Sequence, residues 1–378
     1  MTDCYICGKP AHAKKMCSTH YHRYMEGKRG DELTAPTSRE QKIPEDAPQK
    51  TLEDAIHQKL LKSKIEMSYE DLSNHFNVGM KTIRDAVKKL EEHGINVSID
   101  EGISIPKDLP LEVETTRIDV TKFEGDTYQF GVTADNHLCS KYYREDVLNA
   151  LYDIWERDGV TKVLQAGNMI DGEFRFNKFD LVTRPGLDAQ AEFLINEWPR
   201  RKGITTEFVC GHDHEGWYVK AVGVNIVQYL QNKADAGGRD DMKFVGYMEH
   251  DYELKGKGNH SSRMRLSHAG GGSTYAISYT VQKIVESYQP NEKPTILLVG
   301  HFHKSEYSYP RAVHVIQPGC TEDQTPFMRQ KRLEAMVGGY SVKFQVDPKG
   351  IVHRFNYEFH PFYDRDFYKR WKYIQGAS

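Results

Sequence analysis

Apolar residues recur along this chain in two rhythms. Between residues 51 and 108 the steps are helical: Leu52, Ile56 and Leu60 share one face, then Tyr69, Leu72 and Phe76, then Ile83, Val87 and Leu90. Ser68 followed by Asp71 forms a capping box for the second helix, residues 77–79 form a tight turn, and Gly94 offers a favourable end to the third. The alternating stretch INVSIDEGISI, turning at Glu101 and Gly102, predicts a hairpin. Pro106 and Pro110 mark a boundary, after which the rhythm changes. Short apolar runs now alternate with helical segments at residues 143–158, 187–198 and 217–234. Alternating strands and helices predict a layered α/β domain over residues 118–378.

The short runs share one property: each stops at residues able to hold a cation. QFGVTADNHL ends in Asp135 and His137, KVLQAGNMIDG in Asn168 and Asp171, and TEFVCGHDHEG in His212, Asp213, His214 and Glu215. RMRLSH ends in His268, and PTILLVGHFH in His301 and His303. A buried strand delivers its last side chains at the carboxyl edge of the sheet, where open α/β sheets keep their ligand sites. Side chains two apart on an extended segment point the same way, so Asp135 and His137 are expected to reach one cation from extended backbone.

These blocks, in this order, resemble the calcineurin-like metallophosphoesterases, whose pattern is D-x-H, G-D-x-x-D, G-N-H-D/E, a lone His and G-H-x-H. The resemblance covers residues 128–358. It implies a four-layer α/β/β/α sandwich with two adjacent divalent cations, Mn²⁺ or else Mg²⁺, Fe or Zn²⁺, held by Asp135, His137, Asn168, Asp213, His268, His301 and His303. It also implies catalytic roles for Asp213, His214 and Glu215, and a site-closing turn at Pro318 and Gly319.

The chain departs from that pattern twice. Asn168 stands where the family has the aspartate bridging both cations, and Asp213 where the family has asparagine. One reading is a charge-conserving swap, with Asp213 as the anionic bridge or near-bridge. Its rival is a weakened site holding one cation or none, since an amide oxygen is a poorer ligand for a hard cation than a carboxylate. GHDHE is also one residue longer than the family's block, so His212 stays a candidate beside the Asp213, His214, Glu215 alignment.

The chain has 378 residues and a net charge of −3, which excludes a globally basic nucleic-acid binder and confines any DNA contact to a local patch. There is no signal-peptide pattern and no apolar run of about eighteen residues, so a soluble cytoplasmic protein without membrane contact is expected, in a host's cytoplasm if a phage encodes it. Of six cysteines, Cys139, Cys210 and Cys320 are scattered, while Cys4, Cys7 and Cys17 cluster with His20. Cys4-x₂-Cys7 and Cys17-x₂-His20 make two ligand pairs for one structural Zn²⁺ in a finger over residues 1–30, with His22 a substitute for His20. Residues 31–50, with Pro36, Pro44 and Pro48 and almost no large apolar residue, read as a flexible linker.

Helix, helix, turn, helix and hairpin over residues 51–110 resemble a winged helix-turn-helix. Lys81, Thr82, Arg84 and Lys88 on its third helix are then candidates for touching DNA, although small domains of this kind also bind proteins. Arg175 and Lys178, close behind the second block, are further candidates for holding a substrate phosphate or nucleic acid. The closing stretch YDRDFYKRWKY mixes aromatic and basic residues that contact nucleic acid or pack as a tail. Finger, linker, winged helix and phosphoesterase in that order resemble a phage or mobile-element protein. The expected activity is a metal-dependent DNA nuclease, distantly similar to SbcD-type repair exonucleases. The alternatives are a phosphatase or phosphodiesterase for RNA, nucleotides or phosphoproteins, and a DNA-binding protein with an impaired metal domain. A homo-oligomer is left open.

Overall fold

A computed structural model describes residues 51–109, 113–173, 181–258, 260–272 and 274–362. The expected finger ligands Cys4, Cys7, Cys17 and His20, the linker, Arg175, Lys178 and the aromatic-basic stretch near the end lie outside the described residues.

The first described elements are α1 (Leu52–Lys62), α2 (Tyr69–Phe76), α3 (Met80–Glu92) and a short hairpin of β1 (Ser98–Ile99) and β2 (Ile103–Ser104). Their apolar faces meet: Ile56, Leu60, Leu72, Ile83, Val87, Leu90 and Ile103 are all buried together. The capping box forms, with Ser68 Oγ accepting from the Asp71 N–H at 3.0 Å and the Asp71 carboxylate accepting from the Ser68 N–H at 3.0 Å. Asn77 ends α2 in the left-handed region, a conformation its short polar side chain tolerates.

The rest is a sandwich. Its strands and helices run β3 (Thr115–Asp119), β4 (Thr127–Thr133), α4 (Glu145–Arg157), β5 (Lys162–Gln165), α5 (Leu187–Glu197), β6 (Thr205–Cys210), α6 (Trp217–Val222), α7 (Ile226–Ala236), β7 (Met242–Tyr247), β8 (Glu249–Lys255) and β9 (Ser261–His268). They continue with α8 (Ile277–Ser287), β10 (Ile296–Gly300), β11 (Ser305–Ser308), β12 (His314–Pro318), α9 (Pro326–Lys331), β13 (Gly338–Val346) and β14 (Val352–Pro361). One six-stranded sheet has the order β14-β13-β4-β5-β6-β7, the other β11-β12-β10-β9-β8-β3. Phe130, Leu164 and Phe344 of the first sheet and Tyr252, Leu266, Leu298 and Ile316 of the second share one buried cluster, which is the layer between the sheets. Helices α4, α5 and α7 cover the outer face of the first sheet, through Leu151, Trp155, Leu194 and Leu230. Helix α8 covers the second, with Val281 and Val285 against Leu297, Val299 and Val315. This is the expected α/β/β/α layering.

Local packing fixes these layers closely. A Cβ on Gly131 of β4 would stand 2.5 Å from the Trp155 ring, so only glycine lets α4 seat its fully buried tryptophan on that strand. The expected single helix over residues 217–234 is two. Gly223 closes α6 at φ 73, and the Asn225 side chain caps α7 by accepting the Gln228 N–H. That break is also where the first helices dock: the Asn96 N–H donates to Gly223 O at 2.6 Å and the Asn225 N–H to Gly94 O at 3.1 Å. Among the described residues, no helix is long and apolar enough to cross a membrane.

Candidate metal centre

β4, β5 and β6 are parallel neighbours in one sheet, and β9 and β10 in the other. Their carboxyl ends bring all five blocks together. His301 N–H donates to Asp135 Oδ2 at 2.7 Å, and His268 Nδ1 meets Ala166 O at 2.7 Å, tying the two sheets at the site.

The side chains do not arrive from extended backbone as expected. Asp135, His137, Asn168, His301 and His303 have φ of 49°, 50°, 55°, 91° and 53°, in the left-handed region just past the strand ends. Non-glycine residues enter that region at a cost, and such outliers gather at functional sites. A hydrogen-bonded frame holds them: the Asp135 N–H donates to Gly167 O at 2.9 Å and the His137 N–H to Asn168 O at 3.0 Å. Beneath, Gln165 Nε2 donates to Asn136 Oδ1 at 2.9 Å and to Gly167 O at 2.7 Å, while Asn136 Nδ2 donates to Thr321 Oγ1 at 3.0 Å.

Two groups of donors result. In the first, His137 Nε2 and His303 Nε2 stand 3.1 Å apart and His303 Nε2 is 3.7 Å from Asp135 Oδ1. In the second, Asp213 Oδ1 is 3.5 Å from His268 Nε2 and Asp213 Oδ2 is 3.3 Å from His301 Nδ1. Asn168 Oδ1, Asp135 Oδ1, His268 Nε2 and His301 Nδ1 are buried without a hydrogen-bond partner. Buried polar atoms are rarely left so. Backbone carbonyls select which imidazole nitrogen is bare: Ala166 O takes the Nδ1 side of His268, and Gly271 O the Nε2 side of His301. Asp171 Oδ1, 3.2 Å from His137 Nδ1, does the same for His137, the usual orientation of a ligating histidine by a carboxylate. Carboxylate, amide oxygen and imidazole together suit divalent cations such as Mn²⁺ or Zn²⁺.

Gly211 permits the convergence, since a Cβ there would lie 2.3 Å from Asn168 Oδ1 and 3.0 Å from His268 Nε2. His212 also lies near, within ligand-atom reach of Asp213 and His268, and its Nδ1 is buried and unpartnered. Burial pushes its imidazole down to about 4, which keeps it neutral.

His214 and Glu215 take different places. His214 lines the cleft, its Nδ1–H donating to Asp171 O at 2.7 Å. Burial works against its charge, but Asp213 and then Asp171 raise its pKa to about 10. Burial likewise opposes ionisation of Asp213, yet the charge of His214, with the His268 and His301 rings beside it, holds its carboxyl far below the usual range. Glu215 is fully buried, and its Oε1 accepts from the Asn168 N–H at 2.9 Å and the Gly211 N–H at 2.5 Å. It braces two of the metal-site loops and does not meet the cleft, so its expected catalytic part becomes a positioning one.

The cleft holds about 580 Å³. Beside His137, Asn168, Asp213, His214, His301 and His303 it is lined by Tyr142, Phe302, Phe327, Met328 and Leu333. Lys81, Thr82, Arg84 and Lys88 are elsewhere, exposed on α3 opposite its buried face. The sequence offered Asp171 as a cation holder, whereas it orients the His137 ring, and it gave no role to Gln165 and Asn136. Asp171 was visible as the last residue of its block, whereas Gln165 and Asn136 carry no local signal.

The sequence matches no protein-family model and no curated protein. Similar solved structures include an archaeal phosphodiesterase, 12% identical, spanning 61% of this chain and 99% of its own, at a TM-score of 0.33. Another is Vps29 of Entamoeba histolytica complexed with Zn²⁺, 12% identical over 62% of this chain and 98% of its own, TM-score 0.29. A 5′-nucleotidase precursor of Thermus thermophilus is 11% identical over 66% of this chain and 59% of its own, TM-score 0.31. Overlaps of this extent establish neither family nor activity, and the functional reading rests on the site's own atoms.

Proposed function

We propose that this protein is a divalent-cation-dependent phosphodiester hydrolase and that DNA is its substrate. The observation that carries the first part is the set of buried, unpartnered ligand atoms from five strand ends aimed at two neighbouring points. Asp135, His137 and His303 would hold one cation, Asp213, His268 and His301 the other, and Asn168 would add an amide oxygen on the His268 side. Two such cations supply a lowered pKa for a bound water and neutralise charge on the attacking and leaving oxygens.

The chain's own residues do the rest. Asp171 holds the His137 and His214 rings, and the cationic His214 can give a proton to a leaving oxygen through Nε2. Glu215 keeps the Asn168 and Gly211 backbones in place. Tyr142, Phe302 and Phe327 narrow the cleft and limit water around the phosphate.

The DNA part is supported by α3. Its outer face exposes Lys81, Thr82, Arg84 and Lys88, the residues that a recognition helix would turn to DNA. Lys88 meets Glu92 at 3.8 Å with both side chains more than half exposed, a contact that phosphate can replace at little cost. Asn168 motivates a second reading, a DNA-binding protein that no longer turns over.

A Mn²⁺-dependent assay on labelled single- and double-stranded DNA, run beside bis(p-nitrophenyl) phosphate, separates these readings. Cleavage of DNA is the expected outcome. Cleavage of the small ester alone would point to a phosphodiesterase for other substrates, and DNA binding without any cleavage to the second reading.

A further inference from the structure

Glu322 is a carboxylate that neither the sequence pattern nor the proposed chemistry uses. It follows the Pro318 and Gly319 turn after β12, is 3% exposed, and lines the cleft. Its backbone is pinned from two sides: it bridges to Tyr143, the Thr321 N–H donates to Asp135 O at 3.2 Å, and the Asp323 N–H to Tyr142 O at 2.8 Å. Oε1 accepts from Ser140 Oγ at 2.6 Å. Oε2 stands 4.0 Å from His137 Nε2 and 4.0 Å from His303 Nδ1, too far to hydrogen-bond either ring.

A buried carboxylate needs a compensating positive charge. Arg144, whose backbone N–H donates to Thr321 O at 2.8 Å, has its guanidinium engaged by Asp146 and Asp323 at 2.8 and 3.0 Å. The imidazoles that face Glu322 belong to the first cation position, and imidazoles that ligate a cation are neutral. Across the cleft His214 contributes to that balance, and a cation held between the His137 and His303 rings would complete it. Of the residues that would hold the first cation, Asp135 alone is acidic, and Asn168, whose Oδ1 is buried and unpartnered, brings the centre no charge.

Resting on the two-cation reading above, we propose that Glu322 is the positioning carboxylate of the first cation site and supplies the negative charge that Asn168 does not. Asp213, 3.5 and 3.3 Å from His268 and His301, would serve the second position.

The test is Mn²⁺ binding to the full chain, followed by electron paramagnetic resonance of the free ion, for wild type, Glu322→Gln, Asn168→Asp and the double variant. Glutamine keeps the shape of the side chain and an oxygen for Ser140, and removes only the charge. Loss of an outer carboxylate at a metal site weakens binding about 10- to 100-fold, and that loss is expected at one of two sites in Glu322→Gln. Adding Asn168→Asp should restore affinity to within a few-fold of wild type, a rescue that a purely structural role would not give. Unchanged affinity in Glu322→Gln, or a loss that Asn168→Asp does not repair, would overturn the role of Glu322. A wild-type chain that takes up no Mn²⁺ would instead overturn the phosphoesterase reading beneath it.

Discussion

Replacing Gly211 by alanine tests the convergence of the site without removing any ligand. A Cβ at this position would sit 2.3 Å from Asn168 Oδ1, 2.9 Å from His268 Cδ2 and 3.0 Å from His268 Nε2, where ordinary contact begins at 3.4 Å. Gly211 is not in the left-handed region, so the substitution adds volume and no backbone strain. The amide oxygen must retreat by about 1 Å, on the scale at which misplaced groups lose function. The Asn168 backbone is held by Glu215 at 2.9 Å and the His268 ring by Ala166 O at 2.7 Å, so the clash is relieved chiefly by swinging the unpartnered Asn168 amide out of place. Overpacking of this kind costs about 1–3 kcal/mol, and breaking one of those buried hydrogen bonds adds about 1–3 kcal/mol more. Calorimetric titration with Mn²⁺ should show affinity reduced by roughly 10- to 100-fold, with a melting temperature lowered even in chelator. Gly79→Ala is the control, since a Cβ there meets nothing within 4 Å. Wild-type affinity in Gly211→Ala would refute the claim that Asn168 and His268 converge on a cation.

Metal removal offers a second check: Mn²⁺ at a hundred times its dissociation constant should stabilise the fold by about 2.7 kcal/mol over the chelated protein in scanning calorimetry, and an unmoved transition would count against the site. His214→Ala should lower kcat by roughly 10²- to 10⁴-fold while Mn²⁺ affinity changes little; equal losses in both would mean that His214 holds metal and does not donate a proton. Trp155→Ala should cost about 3–5 kcal/mol in urea unfolding, because the ring is fully buried against Gly131 of β4; a cost under about 1 kcal/mol would contradict that packing. Lys81→Glu with Arg84→Glu should weaken DNA binding and flatten its salt dependence while leaving hydrolysis of a small ester intact, and undiminished DNA affinity would remove α3 from the contact.

Which parts of this molecule can be read from its sequence follows from how local their causes are. The three helices of residues 52–92 announce themselves because Ile56, Ile83, Val87 and Leu90 are spaced by the helix period and Ser68 with Asp71 caps locally. The strand ends are legible for a similar reason, since a buried strand has no use for Asp135, Asn168 or His268 until it reaches the edge of the sheet. The two-helix break at Gly223 and Asn225 was also present, as a stop signal followed by a cap, inside what reads as one apolar period. The frame under the site was not legible, because Asn136 meets Thr321, 185 positions away. Nor was the inward turn of Glu215, whose partners are backbone N–H groups of Asn168 and Gly211 that no side-chain pattern reports.

The largest miss concerns backbone, and it bears on how the site can work. Period-two reasoning places Asp135 and His137 on one face of a strand, yet both lie beyond β4 at φ 49° and 50°. With Asn168, His301 and His303 they make five ligand candidates in a region costing roughly 1–3 kcal/mol for each non-glycine residue. Such a sum is comparable with the whole stability of a domain, about 5–15 kcal/mol, so it persists only because the surroundings over-determine it. The surroundings are visible: Gly167 O, Asn168 O, Glu215 and the Asp135 carboxylate take the N–H groups of Asp135, His137, Asn168 and His301, so four of the five strained residues are held by another block of the site. Removing one member therefore loosens the others, and the five blocks should respond to substitution as a unit rather than additively.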